Sequence, residues 1–176
     1  MKIFQTQLQG LIRKIDDYEE SFEEATRYIA QSMISDGKVY IFGDMEMVGI
    51  IPQALNGVDR LPGCLEASET SVFTPLDTVL IFSPNKGSKA AAKVADNARG
   101  AGGNVIGVFS ETTENDGDMQ IDWTSQCTVS FSTSISHGLM PTESGDRIGV
   151  PHLLVALHFY YALYFTTMEF MEEFEE

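Results

Sequence analysis

Two apolar runs constrain this chain most, DTVLIFS at 77–83 and NVIGVFS at 104–110. Neither alternates with polar residues, so each reads as a strand covered on both faces. Between them lies GSKAAAKVADNARGAGG, a helix-forming stretch stopped by glycines. A strand, a helix and a second doubly covered strand at this spacing make a parallel crossover unit, and such crossovers are right-handed. VYIFG (39–43) and CTVSFST (127–133) add strands, and LPGCLEA (61–67) adds a weaker one. The expectation is α/β: a three-layer sandwich around a five-stranded parallel sheet.

Long helices flank that sheet. Phe4, Leu8, Leu11, Ile15, Tyr18, Phe22, Ala25, Ile29 and Met33 step by three or four, predicting one amphipathic helix over 3–34. SDGK (35–38) stops it, with Gly37 suited to a left-handed cap. MVGIIPQALNG predicts a short helix in which Pro52 either marks the first turn or kinks it. The last helix is apolar nearly all round from Leu153 to Phe165. His152, His158, Thr166 and Thr167 interrupt it and an acidic flank follows, so it reads as buried in a core or between subunits rather than in a membrane.

Charge narrows the partners. Asp and Glu number 26 against 11 Lys and Arg, a net charge of −15, which repels nucleic acid over most of the surface. Cys64 and Cys127 stand apart from each other and from any histidine at metal-ligand spacing. They suit a reducing cytoplasm, with no disulfide framework and no metal site. The N-terminus lacks the apolar core of a signal peptide. With no linker or internal repeat, the chain reads as one domain, 1–176, that needs no cofactor.

Ligands of open parallel sheets bind beyond the carboxyl ends of the strands. Those ends are Gly43-Asp44-Met45-Glu46, Ser83-Pro84-Asn85-Lys86-Gly87-Ser88, Ser110-Glu111-Thr112 and Ser132-Thr133-Ser134. The second is the most informative. The helix after it opens with unpaired N–H groups and partial positive charge, Gly87 allows close approach, and Ser83 and Ser88 offer hydroxyls. Lys86, Lys89, Lys93 and Arg99 cluster around it, with Asp96 the only acid between 83 and 104. The segment is a candidate phosphate cradle, or else an ordinary turn with Ser88 as the helix N-cap. GDMEMVG lacks the glycine pattern of a dinucleotide site, and ENDGD lacks the ligand alternation of a calcium loop.

The stretch DTVLIFSPNKGSKAAAKVADNARGAGGNVIGVFSE resembles the centre of the SIS (sugar isomerase) domain, a strand ending in S-x-S-G-x-S/T followed by a helix and a strand. GDRIGVPHLLVALH is similar to the approach to the last helix in phosphoheptose isomerases. The likeness runs from residue 1 to about 165 and points to a divergent bacterial branch. It implies a Rossmann-like or flavodoxin-like sheet, a homodimer or homotetramer packed through the terminal helices, and a phosphosugar ligand. The phosphate would lie on Ser83, Asn85, Lys86, Gly87 and Ser88. The sugar would lie among Gly43, Asp44, Glu46, Ser110 and Thr112, towards the last helix.

The chain also departs from the family. After β-strand VYIFG the family's serine is missing, with Gly43-Asp44-Met45-Glu46-Met47 in its place. Its catalytic Glu and His positions fall at about Gly57 and Gln53, the Gln before the last helix is Gly149, and its second His falls at Leu157, beside His158. Aldose–ketose isomerisation needs a positioned base, usually Glu or His. His152 and His158 are the candidates, with Glu46 and Glu66 able to supply a carboxylate. The two histidines are six apart, about 600° of helix rotation, so they point differently. Two functions follow: a phosphoheptose isomerase-like enzyme, or a phosphosugar sensor that has lost its base.

Overall fold

The computed structural model describes residues 1–111 and 121–175, with side chains through residue 173. Its strands are β1 (Val39–Gly43), β2 (Leu65–Glu66), β3 (Thr78–Ser83), β4 (Asn104–Phe109) and β5 (Val129–Ser132). All pair in parallel in the order β2-β1-β3-β4-β5, the expected five-stranded sheet. A small antiparallel ribbon, β6 (Met140–Pro141) with β7 (Arg147–Ile148), precedes the last helix.

Helices α1 (Lys2–Arg13), α2 (Glu19–Ile34), α3 (Ile50–Asn56) and α5 (His152–Glu175) cover one face of the sheet, and α4 (Lys89–Gly100) covers the other. The pleat sorts the strand residues between two cores. Ile41, Phe82, Val108 and Phe131 meet the four-helix layer. Val79, Ile81 and Val105 meet Ala91 and Ala95 of α4 and Trp123. Every residue of β3 is buried, as a strand enclosed from both sides must be.

The N-terminal helix is not continuous. Lys14–Tyr18 forms a 3₁₀ turn between α1 and α2. A 3₁₀ turn winds at about 3.0 residues per turn, so the three-and-four stripe passes through it unbroken while the helix is re-aimed. The re-aiming carries Tyr18 onto β5, where its hydroxyl accepts the Ser132 N–H at 3.1 Å and donates to the Ser132 carbonyl at 3.4 Å. It also stacks Phe22 on Phe131, centroids 4.7 Å apart. Gly37 does not cap α2 in a left-handed conformation; Ser35 ends that helix in an extended one. Glycine is needed at 37 because a Cβ there would strike the Leu76 carbonyl. Pro52 lies in the first turn of α3, preceded by a 3₁₀ turn over Met45–Gly49.

Among the described residues no helix is long and apolar enough to cross a membrane. The apolar length of α5 is spent mostly on the core, where Val155, Ala156, Phe159, Tyr160 and Leu163 are buried. Leu154 and Phe165 remain on its outer face.

Candidate functional site

The sheet order reverses its winding between β1 and β3. In open α/β sheets the crevice above that reversal is the ligand site. Asp44 follows β1 there, and Ser83 ends β3. The Ser83 hydroxyl is fully buried, and its one proton has two acceptors within reach, Asp44 Oδ2 at 3.0 Å and the Asn85 carbonyl at 3.1 Å. Asp44 Oδ1 in turn accepts the Met45 N–H. Met45 adopts a left-handed backbone, φ 50°, uncommon for a residue with a side chain and frequent at functional turns. That reversal brings Glu46 to the start of the 3₁₀ turn.

The turn between β3 and α4 largely satisfies itself. Asn85 Oδ1 accepts the Gly87 N–H at 2.8 Å, and the Asn85 carbonyl accepts the Ser88 N–H at 3.2 Å. Ser88 is the N-cap, its hydroxyl accepting the Ala91 N–H at 3.1 Å. Trp123 lies over the turn, donating through Nε1 to the Asn85 carbonyl at 2.9 Å and through its backbone to the Lys86 carbonyl. The Lys86 ammonium sits 4.5 Å from the centre of the Phe109 ring. What this leaves is the first turn of α4, where the Lys89 and Ala90 amides have no partner within the helix, beside the exposed Lys89 side chain. Arg99 belongs to the far end of the helix, about 15 Å along its axis, and contacts Gly103 and Thr128.

A second polar group joins three elements. His152 opens α5 and is 6% exposed. Its Nδ1 lies 2.9 Å from Ser110 Oγ, beyond β4, and Ser110 Oγ lies 2.7 Å from Thr133 Oγ1, beyond β5. Thr133 Oγ1 accepts the Ile135 N–H at 3.3 Å. On the other side of the ring, Nε2 faces Glu46 Oε1 at 3.7 Å, and the Glu46 side chain is 46% exposed. Burial pushes the His152 pKa down, and the Glu46 charge opposes that only in part. Gly49 lies close against α5: a Cβ there would stand 2.6 Å from Leu153 Cδ2.

The expected residues are therefore distributed as follows. Gly43, Asp44, Ser83, Asn85, Lys86, Gly87 and Ser88 surround the winding reversal. Glu46, Ser110 and His152 come together beside it. His158 does not join them: it is exposed, and its Nδ1 sits 2.9 Å from the Leu154 carbonyl one turn back. Glu66 is exposed on the edge strand β2. Thr112 lies outside the described residues. Thr133 and Trp123 went unselected by sequence reasoning. The Ser132-Thr133-Ser134 triplet at a strand end was a signal for the first; only packing against Gly107 singles out the second.

Among the described residues, two hollows lie elsewhere. One, of about 710 Å³ between α2 and α5, is lined by Asp16, Glu19, Glu23, Glu169 and Glu173 against the single cation Arg27, so it repels an anionic ester. The other, of about 480 Å³, lies between α1 and residues 134–139 and carries Lys14 and His137.

The parallel strand order defines a doubly wound α/β protein of the flavodoxin-like order. The chain belongs to the family described as "Domain of unknown function (DUF2529)", whose model matches residues 1–171. It is 31% identical over 176 residues to "Uncharacterized protein YwjG" of Bacillus subtilis (strain 168), covering 99% of each chain. Among solved structures it resembles a "putative sugar-phosphate isomerase" from Listeria monocytogenes str. 4b F2365, with TM-score 0.65, 14% identity, and 96% of this chain and 87% of that one covered. It also resembles a "putative phosphosugar isomerase involved in capsule formation" from Bacteroides fragilis NCTC 9343, with TM-score 0.62, 14% identity, and coverage of 95% and 91%. At that identity the likeness is one of fold.

Proposed function

We propose that this protein binds a sugar phosphate across the carboxyl edge of its sheet and interconverts its aldose and ketose forms. The observation that carries the reading is the pairing of Glu46 with His152 beside the winding reversal. The catalytic Glu position of phosphoheptose isomerases falls at about Gly57, yet a carboxylate and an imidazole still face each other beside the winding reversal. The phosphate would meet the Lys89 and Ala90 amides and the Lys86 and Lys89 ammonium groups. To reach the Gly87 amide it would displace the Asn85 carboxamide. Ser110 and the Asp44 turn would flank the sugar. Self-association through α1 and α5 belongs to the same reading, supported by the exposed Ile3, Leu154 and Phe165.

The reaction asks little of the protein. A base takes the proton from C2 of the aldose while O1 gains one, and the electrons form an enediol. A proton returns to C1 while the hydroxyl proton on O2 leaves and O1 keeps one, so nothing is consumed. A carboxylate facing a neutral imidazole at 3.7 Å suits that task.

The burial of His152 favours a second reading, a sensor that binds the ester without turning it over. One experiment separates them. The protein is incubated with aldose phosphates of six and seven carbons; melting temperature is followed, and isomers are sought by NMR. A raised melting temperature with isomer formation abolished by Glu46→Gln is expected. Stabilisation without isomer establishes the sensor, and no stabilisation by any of these esters or by inorganic phosphate overturns both.

A further inference from the structure

We infer that Ser110 and Thr133 are positioning residues that lock His152 in its Nε2–H tautomer, so that the ring donates towards Glu46 and Glu46 is the proton acceptor of the pair. The starting point is the two ends of a chain of polar contacts. At one end is the Ile135 N–H, which can only donate, and it lies 3.3 Å from Thr133 Oγ1. At the other is the Glu46 carboxylate, which as an anion can only accept, 3.7 Å from Nε2. Between them are two hydroxyls and an imidazole, each able to act either way.

Only one direction satisfies every member. Ile135 donates to Thr133, Thr133 donates to Ser110, Ser110 donates to Nδ1, and Nε2–H faces Glu46. Reversing the chain puts the proton on Nδ1, turns Ser110 towards Thr133 and leaves the Thr133 hydroxyl proton without an acceptor in this chain. It also sets the Nε2 lone pair against a carboxylate. Ser110 and Thr133 are 0% and 1% exposed, so water does not rescue the reversed arrangement. The low pKa that burial gives His152 agrees, because a protonated ring would force the same reversal.

The consequence concerns roles. With its Nε2 already protonated, His152 does not take a proton from a ligand. Its N–H faces the Glu46 carboxylate, where an approach closer by a few tenths of an ångström would make a hydrogen bond. That catalytic consequence rests on the sugar-phosphate reading. The tautomer does not, and its test uses the free protein.

The test is ¹⁵N NMR of protein labelled at its three histidines, at neutral pH, with the His152 signals identified by their loss in His152→Asn. The wild type should show an unprotonated, hydrogen-bonded Nδ1 and a protonated Nε2. Glu46→Gln, whose carboxamide can accept or donate, should keep that pattern because the hydroxyl chain alone selects it. Adding Ser110→Ala to Glu46→Gln should yield a mixture of both tautomers. A protonated Nδ1 in the wild type overturns the proposal outright. A mixture in Glu46→Gln alone overturns the role of Ser110 and Thr133, since Glu46 would then be the selector. The wild-type spectrum decides the tautomer even if a variant fails to fold, and neither result depends on whether a sugar phosphate binds.

Discussion

The buried hydroxyl of Ser83 donates to the carboxylate of Asp44 at 3.0 Å, tying the end of β3 to the end of β1 at the reversal of the sheet. The serine expected to greet a phosphate is thus engaged by an acid that also caps the turn carrying Glu46. Ser83→Ala leaves Asp44 Oδ2 without this partner and should cost about 1–3 kcal/mol of stability, read from urea denaturation. Asp44→Asn should instead strengthen binding of inorganic phosphate, because it removes a negative charge from the crevice. Weaker phosphate binding in Asp44→Asn would place the anion elsewhere.

His152 makes stability depend on pH. Its folded pKa lies below the ordinary 6.5, chiefly through burial and against the pull of Glu46. As pH falls, the unfolded chain takes up this proton before the folded one. The contribution is therefore complete above about 6.5 and lost as pH drops below it towards the folded value. Denaturation curves across that range should show a steeper acid loss in the wild type than in His152→Asn. Parallel curves would assign the loss to other groups.

Gly107 of β4 makes room for the Trp123 that covers the candidate phosphate turn. A Cβ at 107 would lie 2.5 Å from Cys127 Sγ and 2.7 Å from Trp123 Cζ3. Gly107→Ala should cost about 1–3 kcal/mol through overpacking. It should also weaken ligand binding more than Ser83→Ala does, because Trp123 would be pushed off the Asn85 carbonyl. Unchanged tryptophan fluorescence and full stability would show that the site tolerates the methyl group.

The thiols of Cys64 and Cys127 are each pushed up to about 12, with burial the main cause. The thiolate is the reactive form, so both should resist alkylation in the native state at neutral pH. Labelling by iodoacetamide should follow the denaturation curve. Rapid labelling without denaturant would show that one of the two sulfurs is freely accessible.

The strands were legible because burial on both faces leaves a local mark, unbroken apolar runs such as TVLIFS. The extent of α4 was legible because alanines and closing glycines are local signals too. The 3₁₀ turn at Lys14–Tyr18 was not, since the apolar spacing is the same on both sides of it. The site divided in the same manner. Glu46, Ser110 and His152 could each be named from a strand end or a helix start, yet their meeting depends on how α5 packs across the sheet, which leaves no local mark. Asn85 was read as a ligand contact. That its carboxamide holds the Gly87 amide is decided by a side-chain rotamer, about which the sequence is silent.

The central claim is that an anionic sugar ester binds over the winding reversal of the sheet. Titrating the ¹⁵N-labelled protein with a heptose or hexose phosphate tests it most directly, by mapping which backbone amides shift. Saturable shifts centred on Gly43–Glu46, Gly87–Ala90 and Ser110 are predicted. Shifts confined to the Lys14 and His137 hollow, or none that saturate, would contradict it.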